Sequence, residues 1–114
     1  MRWEGVRDAT HFGADCFQPA VPGWEPSRGE GVSEDCLYLN VWTPARKPKQ
    51  KLTVMVWVHG GSFLVGSGAH SLYDGERLAR MGVVVVTINY PLAVFAFFAH
   101  AQLTNERPPG RSAN

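Results

Sequence analysis

Residues 54–68 read VMVWVHGGSFLVGSG, an apolar run that passes through His59 into a loop holding Gly60, Gly61, Gly66 and Gly68. A glycine-rich turn after a strand exposes backbone N–H groups, and exposed N–H groups attract negative charge. Three chemistries use such a turn. A phosphate-binding loop needs G-x-x-x-x-G-K-[ST]; Gly61 and Gly66 have that spacing, but Ser67 occupies the lysine position. The dinucleotide fingerprint G-x-G-x-x-G also fails, because Ser71 stands where a third glycine should follow Gly66 and Gly68. The third chemistry is stabilisation of an alkoxide, formed when a serine oxygen attacks an ester carbonyl. Preorganised backbone donors lower that barrier by roughly 3–4 kcal/mol per donor. A tight turn with no catalytic duty is the plain alternative, and the loop alone tips the balance only slightly toward catalysis.

The elements around the loop follow from hydropathy patterning. Leu52–His59 (LTVMVWVH) and Val83–Asn89 (VVVVTIN) are near-continuous apolar runs, as in strands of a parallel sheet buried on both faces. Between them YDGERLARMG supplies a helix, with Asp74 as its cap, Leu78 and Met81 on an apolar face, and Gly82 as its stop. Strand, helix, strand makes a βαβ unit, whose crossover is expected to be right-handed. Leu37–Thr43 (LYLNVWT) alternates well enough for another strand, ended by Pro44. Gln18–Gly31, rich in proline and glycine, reads as an extended surface loop, and Pro44–Lys51 as a basic, solvated connector. The fold class is therefore α/β. One short helix cannot cover both faces of such strands, so residues 1–114 are expected to be one section of a larger α/β domain.

Composition excludes several classes. The chain has 114 residues, 45% hydrophobic and 18% charged, with 11 basic against 10 acidic side chains. That balance gives no reason to expect nucleic acid, an anionic membrane or an acidic partner. Met1–Ala14 lacks the apolar core of about 7–15 residues that a secretory signal requires, so the chain either does not use that route or begins inside a longer protein. The longest apolar stretch, Val83–Ala99, is broken by Thr87, Asn89, Tyr90 and Pro91, and is shorter than the roughly 20 residues of a spanning helix. No membrane span is expected, and the compartment stays unassigned. His11, His59, His70 and His100 are scattered without metal-ligand spacing. Cys16 and Cys36 fit no metal pattern; from spacing alone a disulfide and two buried thiols are equally good readings.

A second stretch carries more information. Ser33–Pro44, SEDCLYLNVWTP, resembles the signature of the type-B carboxylesterases, the cholinesterase-like serine hydrolases of the α/β-hydrolase fold. The glycine loop follows it at that family's usual distance, then YDGERLARMGVVVVTINY and FFAHAQLTNE in family order, and WEGVRDATHFGADC precedes it. Other esterases with an HGG loop lack SEDCLYLN. The resemblance implies that the backbone N–H groups of Gly61 and Ser62 are two of three oxyanion donors, that Gly60 shapes the turn, and that Phe63 lies near the substrate pocket. It implies that His59 is structural, and it raises the disulfide reading of Cys16 and Cys36 above the alternative, given an oxidising compartment. It implies a small-molecule ester as substrate and no cofactor or metal, since this chemistry uses protein groups and water.

The family's Ser-Glu-His triad places its serine in a G-x-S-x-G elbow. None of Ser27, Ser33, Ser62, Ser67, Ser71 and Ser112 has glycine two residues before and two after, so no nucleophile elbow is present, and the resemblance implies that the elbow, the acidic residue and the histidine all come later than Asn114. Without the neighbouring nucleophile strand, Leu52–His59 becomes a sheet edge prone to self-association. The resemblance implies that residues 1–114 are an N-terminal section of a single carboxylesterase-type α/β-hydrolase domain, cut at both ends and inactive alone. A non-catalytic cholinesterase-like adhesion protein and a non-functional gene fragment are the alternatives. Four positions depart from the family pattern: Pro91, Ala93 and Ala96 in NYPLAVFAF, and Ala101 where proline is common. If Ala93 or Ala96 requires a positive φ, each costs on the order of 1 kcal/mol or more.

Overall fold

A computed structural model describes residues 4–23, 27–47 and 49–105. Residues 24–26 of the proline-glycine segment, residue 48 of the basic connector, and Ser112 among the serines read above lie outside the described residues. Chain order gives β1 (Asp15–Cys16), β2 (Val32–Ser33), β3 (Leu39–Trp42), β4 (Val54–Val58), a single 3₁₀ turn (Ser71–Tyr73), α1 (Glu76–Arg80), β5 (Val84–Ile88), α2 (Val94–Phe97) and α3 (Ala101–Asn105). Each of the three anticipated strands is present inside its expected range, trimmed at the ends.

The main sheet has the order β3-β5-β4. β4 and β5 are parallel, with Val54 opposite Val84 and Val58 opposite Ile88, and α1 lies in the connection between them and packs on β5. This is the βαβ unit expected from the hydropathy pattern. β3 joins antiparallel, Leu39 opposite Ile88 and Trp42 opposite Val85. The central strand alternates: Val85 and Thr87 are buried on one face, and Val84, Val86 and Ile88 are half-buried on the other.

Three expectations are corrected. β4 is not buried on both faces: all five residues are exposed, between 47% and 60%, because it is the edge strand anticipated for a chain without the neighbouring strand, although the Trp57 ring meets Tyr73 at 5.2 Å. The apolar face of α1 is also not the one expected. Leu78 and Met81 are 41% and 79% exposed, and the residue turned into the protein is Ala79. The stop at Gly82 follows the sequence, but the N-cap is Gly75, which makes no side-chain cap bond, and Asp74 stands one residue before it. Asp74 Oδ1 accepts the Glu76 N–H at 2.9 Å, and Gly82, at φ +101°, ends the turn with its N–H on Ala79 O.

The Gln18–Gly31 segment is more ordered at its borders than a surface loop. β1 and β2 flank it and pair in parallel, Asp15 opposite Val32 and Cys16 opposite Ser33. Beside this pair Cys16 and Cys36 form a disulfide, S–S 2.07 Å, and pack with the fully buried Leu92 and the flank of Tyr90 into a small core. That core ties the N-terminal third of the chain to the segment just after β5. The glycine loop sits between them.

Candidate functional site

β4 delivers the chain to His59, which is buried. Its ring stacks on Tyr90 at 4.4 Å between centroids, and its Nδ1 donates to Gly60 O at 2.8 Å. The Tyr90 hydroxyl donates to His59 O at 2.6 Å, so ring and carbonyl are both held by one tyrosine. Burial, with a smaller contribution from Tyr73, pushes the Tyr90 phenol above its ordinary value and keeps it a donor. His59 is thus a structural strand end, as the sequence resemblance implies.

The turn itself uses left-handed backbone at three consecutive residues: Gly61 at φ +115°, Ser62 at +55° and Phe63 at +60°. Two of these carry side chains, an arrangement that costs on the order of 1 kcal/mol or more each and persists only where surroundings enforce it. The N–H groups of Leu64 and Val65 both donate to Gly61 O, at 3.0 and 3.1 Å. Only glycine fits at 61, since a Cβ there would lie 1.8 Å from Val65 O. At Gly60, by contrast, φ is ordinary and a Cβ would meet nothing within 4 Å. The steric demand for glycine therefore falls on Gly61, not on Gly60 as the motif suggests. Among the described residues, the N–H groups of Gly61 and Ser62 donate to no protein acceptor.

The second half of the loop is fastened from several sides. Gln18 grips Gly66 twice, Oε1 accepting its N–H at 2.8 Å and Nε2 donating to its carbonyl at 2.9 Å. Ser67 and Ser27 both donate to the Asp15 carboxylate. Gly68 N–H donates to Asn89 Oδ1 at 2.7 Å, and Gly68 O accepts from the fully buried Thr87 hydroxyl at 2.7 Å. Asn40 Nδ2 donates to that same Thr87 oxygen at 3.0 Å, which leaves the buried hydroxyl fully satisfied.

Phe63 stands beyond the donors. Its carbonyl accepts the Ala93 N–H at 2.8 Å, and its ring meets Phe97 edge-on at 5.1 Å while remaining largely exposed. Ala93 reaches that bond at φ +49°, ψ −130°, a region that penalises any side chain. The conditional cost attached to the two alanines thus applies to Ala93 alone; Ala96 lies inside α2 with no positive φ. No cluster of three metal-ligating side chains occurs among the described residues, and no described helix is long and apolar enough to cross a membrane.

Motif reading missed Asp15, Gln18, Thr87, Asn89 and Tyr90, the residues that hold the loop. Gln18 and Asp15 act across 48 and 52 positions, beyond any local pattern. A usable signal did exist in VVVVTIN: Thr87 and Asn89 are polar residues at the end of an apolar strand, and buried polar groups need specific partners.

The comparisons with known proteins agree on one family. The family model described as "Carboxylesterase family" matches residues 1–108. A fumonisin B1 esterase from Sphingopyxis macrogoltabida is 50% identical over 98% of the chain, and a para-nitrobenzyl esterase from Bacillus subtilis (strain 168) is 47% identical over 91%. The solved structure titled PNB esterase superposes with a TM-score of 0.74, at 46% identity over 90% of the chain and 20% of its own length. The chain spans 21% of the length of each of these two relatives. With a family model matched over residues 1–108 and a fold shared with solved carboxylesterases, the chain belongs to the carboxylesterase family of α/β-hydrolases.

Proposed function

We propose that this chain supplies the oxyanion-binding section of a serine-type carboxylic ester hydrolase. The observation that carries the reading is the pair of consecutive, unpartnered N–H groups at Gly61 and Ser62, next to open space over Gly60. A serine oxygen attacks the ester carbonyl carbon as a base takes its proton, and the carbonyl electron pair moves to oxygen. Gly61 and Ser62 N–H donate to that oxyanion until the pair returns and the alcohol leaves with the proton from the base. Water then attacks the acyl-serine in the same way, releasing the acid and restoring the serine. Because both donors are fixed before the reaction, their alignment is not a cost of the chemical step. The exposed Phe63 ring bounds the approach to this point, and it fits a small-molecule ester. No cofactor takes part.

None of the six serines sits in a G-x-S-x-G elbow, and on this reading the nucleophile, with the acid and base that serve it, is supplied from outside these 114 residues. The chain alone is expected to hydrolyse no ester. It is also expected to self-associate through the exposed β4 edge, seen as a concentration-dependent mass in light scattering. The test joins the chain to the downstream remainder of the Bacillus subtilis para-nitrobenzyl esterase and measures turnover of a p-nitrobenzyl ester. Serine-reagent-sensitive turnover by the joined protein, none by the chain, and a loss of roughly 100-fold or more in kcat for Gly61→Ala are the expected results. Turnover that Gly61→Ala leaves intact would sink the proposal.

A further inference from the structure

We propose that Gln18 is a positioning residue for the oxyanion donors, an inference that rests on the ester-hydrolase reading for its catalytic consequence. The side-chain amide of Gln18 pairs with both backbone polar groups of one residue, Gly66, at 2.8 and 2.9 Å, as a neighbouring strand would. Its Nε2 also reaches Cys16 O at 3.2 Å, so the grip is braced against a cysteine of the disulfide core. Gly66 lies where the loop returns on itself. The space a Cβ would fill at Gly66 is taken by His59 Nδ1 at 2.3 Å and Gly60 O at 2.7 Å. Fixing Gly66 therefore fixes the return of the loop against its start, and the donors at Gly61 and Ser62 sit in the closed turn between.

The ties at Ser67 and Gly68 restrain the chain one and two residues further on, through Asp15, Asn89 and Thr87. Among the ties of the loop's second half, that of Gln18 lies nearest the donors, while Ala93 N–H on Phe63 O and Tyr90 hydroxyl on His59 O hold its first half. An amide is suited to this position because it offers one acceptor and one donor side by side, matching a peptide N–H and C=O. Glutamate keeps the acceptor for Gly66 N–H but sets a second oxygen against Gly66 O. Alanine removes both bonds.

The test has two readouts. In the full 114-residue chain, amide hydrogen exchange is followed at Gly66, with the β5 amides as an internal measure of folding. In the chain joined to the para-nitrobenzyl esterase remainder, kcat and KM are measured. Gln18→Ala is expected to speed Gly66 exchange at least tenfold with β5 unchanged, and to lower kcat at least tenfold with KM within twofold. Gln18→Glu is expected to do both more weakly. Gly66 exchange that does not respond overturns the clamp, whatever the activity. Faster exchange with unchanged kcat overturns the positioning role, as does loss of β5 protection in both variants, which would make Gln18 a general fold residue. Unprotected β5 in the unsubstituted chain overturns the fold on which the clamp depends. An inactive joined parent defeats the ester-hydrolase reading and leaves the exchange result to decide the clamp.

Discussion

The two halves of the glycine loop are built on opposite terms. Residues 60–64 are half-buried or exposed, strained at Ser62 and Phe63, and keep two N–H groups unpaired. Residues 66–70 are buried, and Gly66, Ser67 and Gly68 are each tied by side chains from elsewhere in the chain. One half leaves its donors open, as the proposed oxyanion role needs; the other is held closed by its neighbours. A site that must present unpaired donors cannot satisfy itself, so its rigidity has to come from neighbours.

The largest expected effect comes from exchanging glycines between the halves. Gly66→Ala forces a Cβ into His59 and Gly60 at a φ of +124° and should destabilise the chain by about 3 kcal/mol or more, measured by urea unfolding. Gly60→Ala should cost under about 0.5 kcal/mol, because the space is open. Equal effects from the two would erase the distinction between the halves. Next, Thr87→Val leaves Gly68 O without its buried donor and should cost about 1–3 kcal/mol, with faster exchange at Gly68 than at β5.

A smaller and opposite effect is expected on the strained side. Ala93→Gly keeps the N–H bond to Phe63 O and removes the side-chain penalty at φ +49°, and should stabilise by about 1 kcal/mol. An unchanged melting temperature would show that the strain is not carried at Ala93. The smallest effect lies outside the loop. Asp74 is held below the ordinary carboxylate value by the Glu76 N–H first and by Arg28 second. A lowered folded value means this contribution is present above the ordinary carboxylate range and is lost as pH falls through the lowered one. Asp74→Asn should flatten that acid limb while leaving the Gly60 and Gly66 variants ranked as before.

The sequence carried the frame well, for a physical reason. β3, β4 and β5 are written in runs of apolar residues, Asp74 and Gly82 punctuate the helix, and the donors at Gly61 and Ser62 sit in a short contiguous motif. All of these are local signals. Ala79, rather than Leu78 or Met81, faces inward because packing on β5 selects the side, and five residues of helix give periodicity little to work with. The pairing of Asp15 with Val32 and the reach of Gln18 to Gly66 depend on where distant segments meet, and nothing near either residue announces it.

The same distances govern when the loop takes shape. Its fasteners join residues 48 and 52 positions apart, and the bond from Asn89 to Ala14 O spans 75. Contacts of such separation are made only after long segments of chain have been closed, an entropic toll that delays them relative to the β4–α1–β5 unit. Ser67→Ala should then raise the unfolding rate and leave the folding rate almost untouched, a φ-value near zero in a chevron analysis. On this argument the Gln18 and Asp15 ties are expected to form after β4, α1 and β5 have joined, and to be lost before they part.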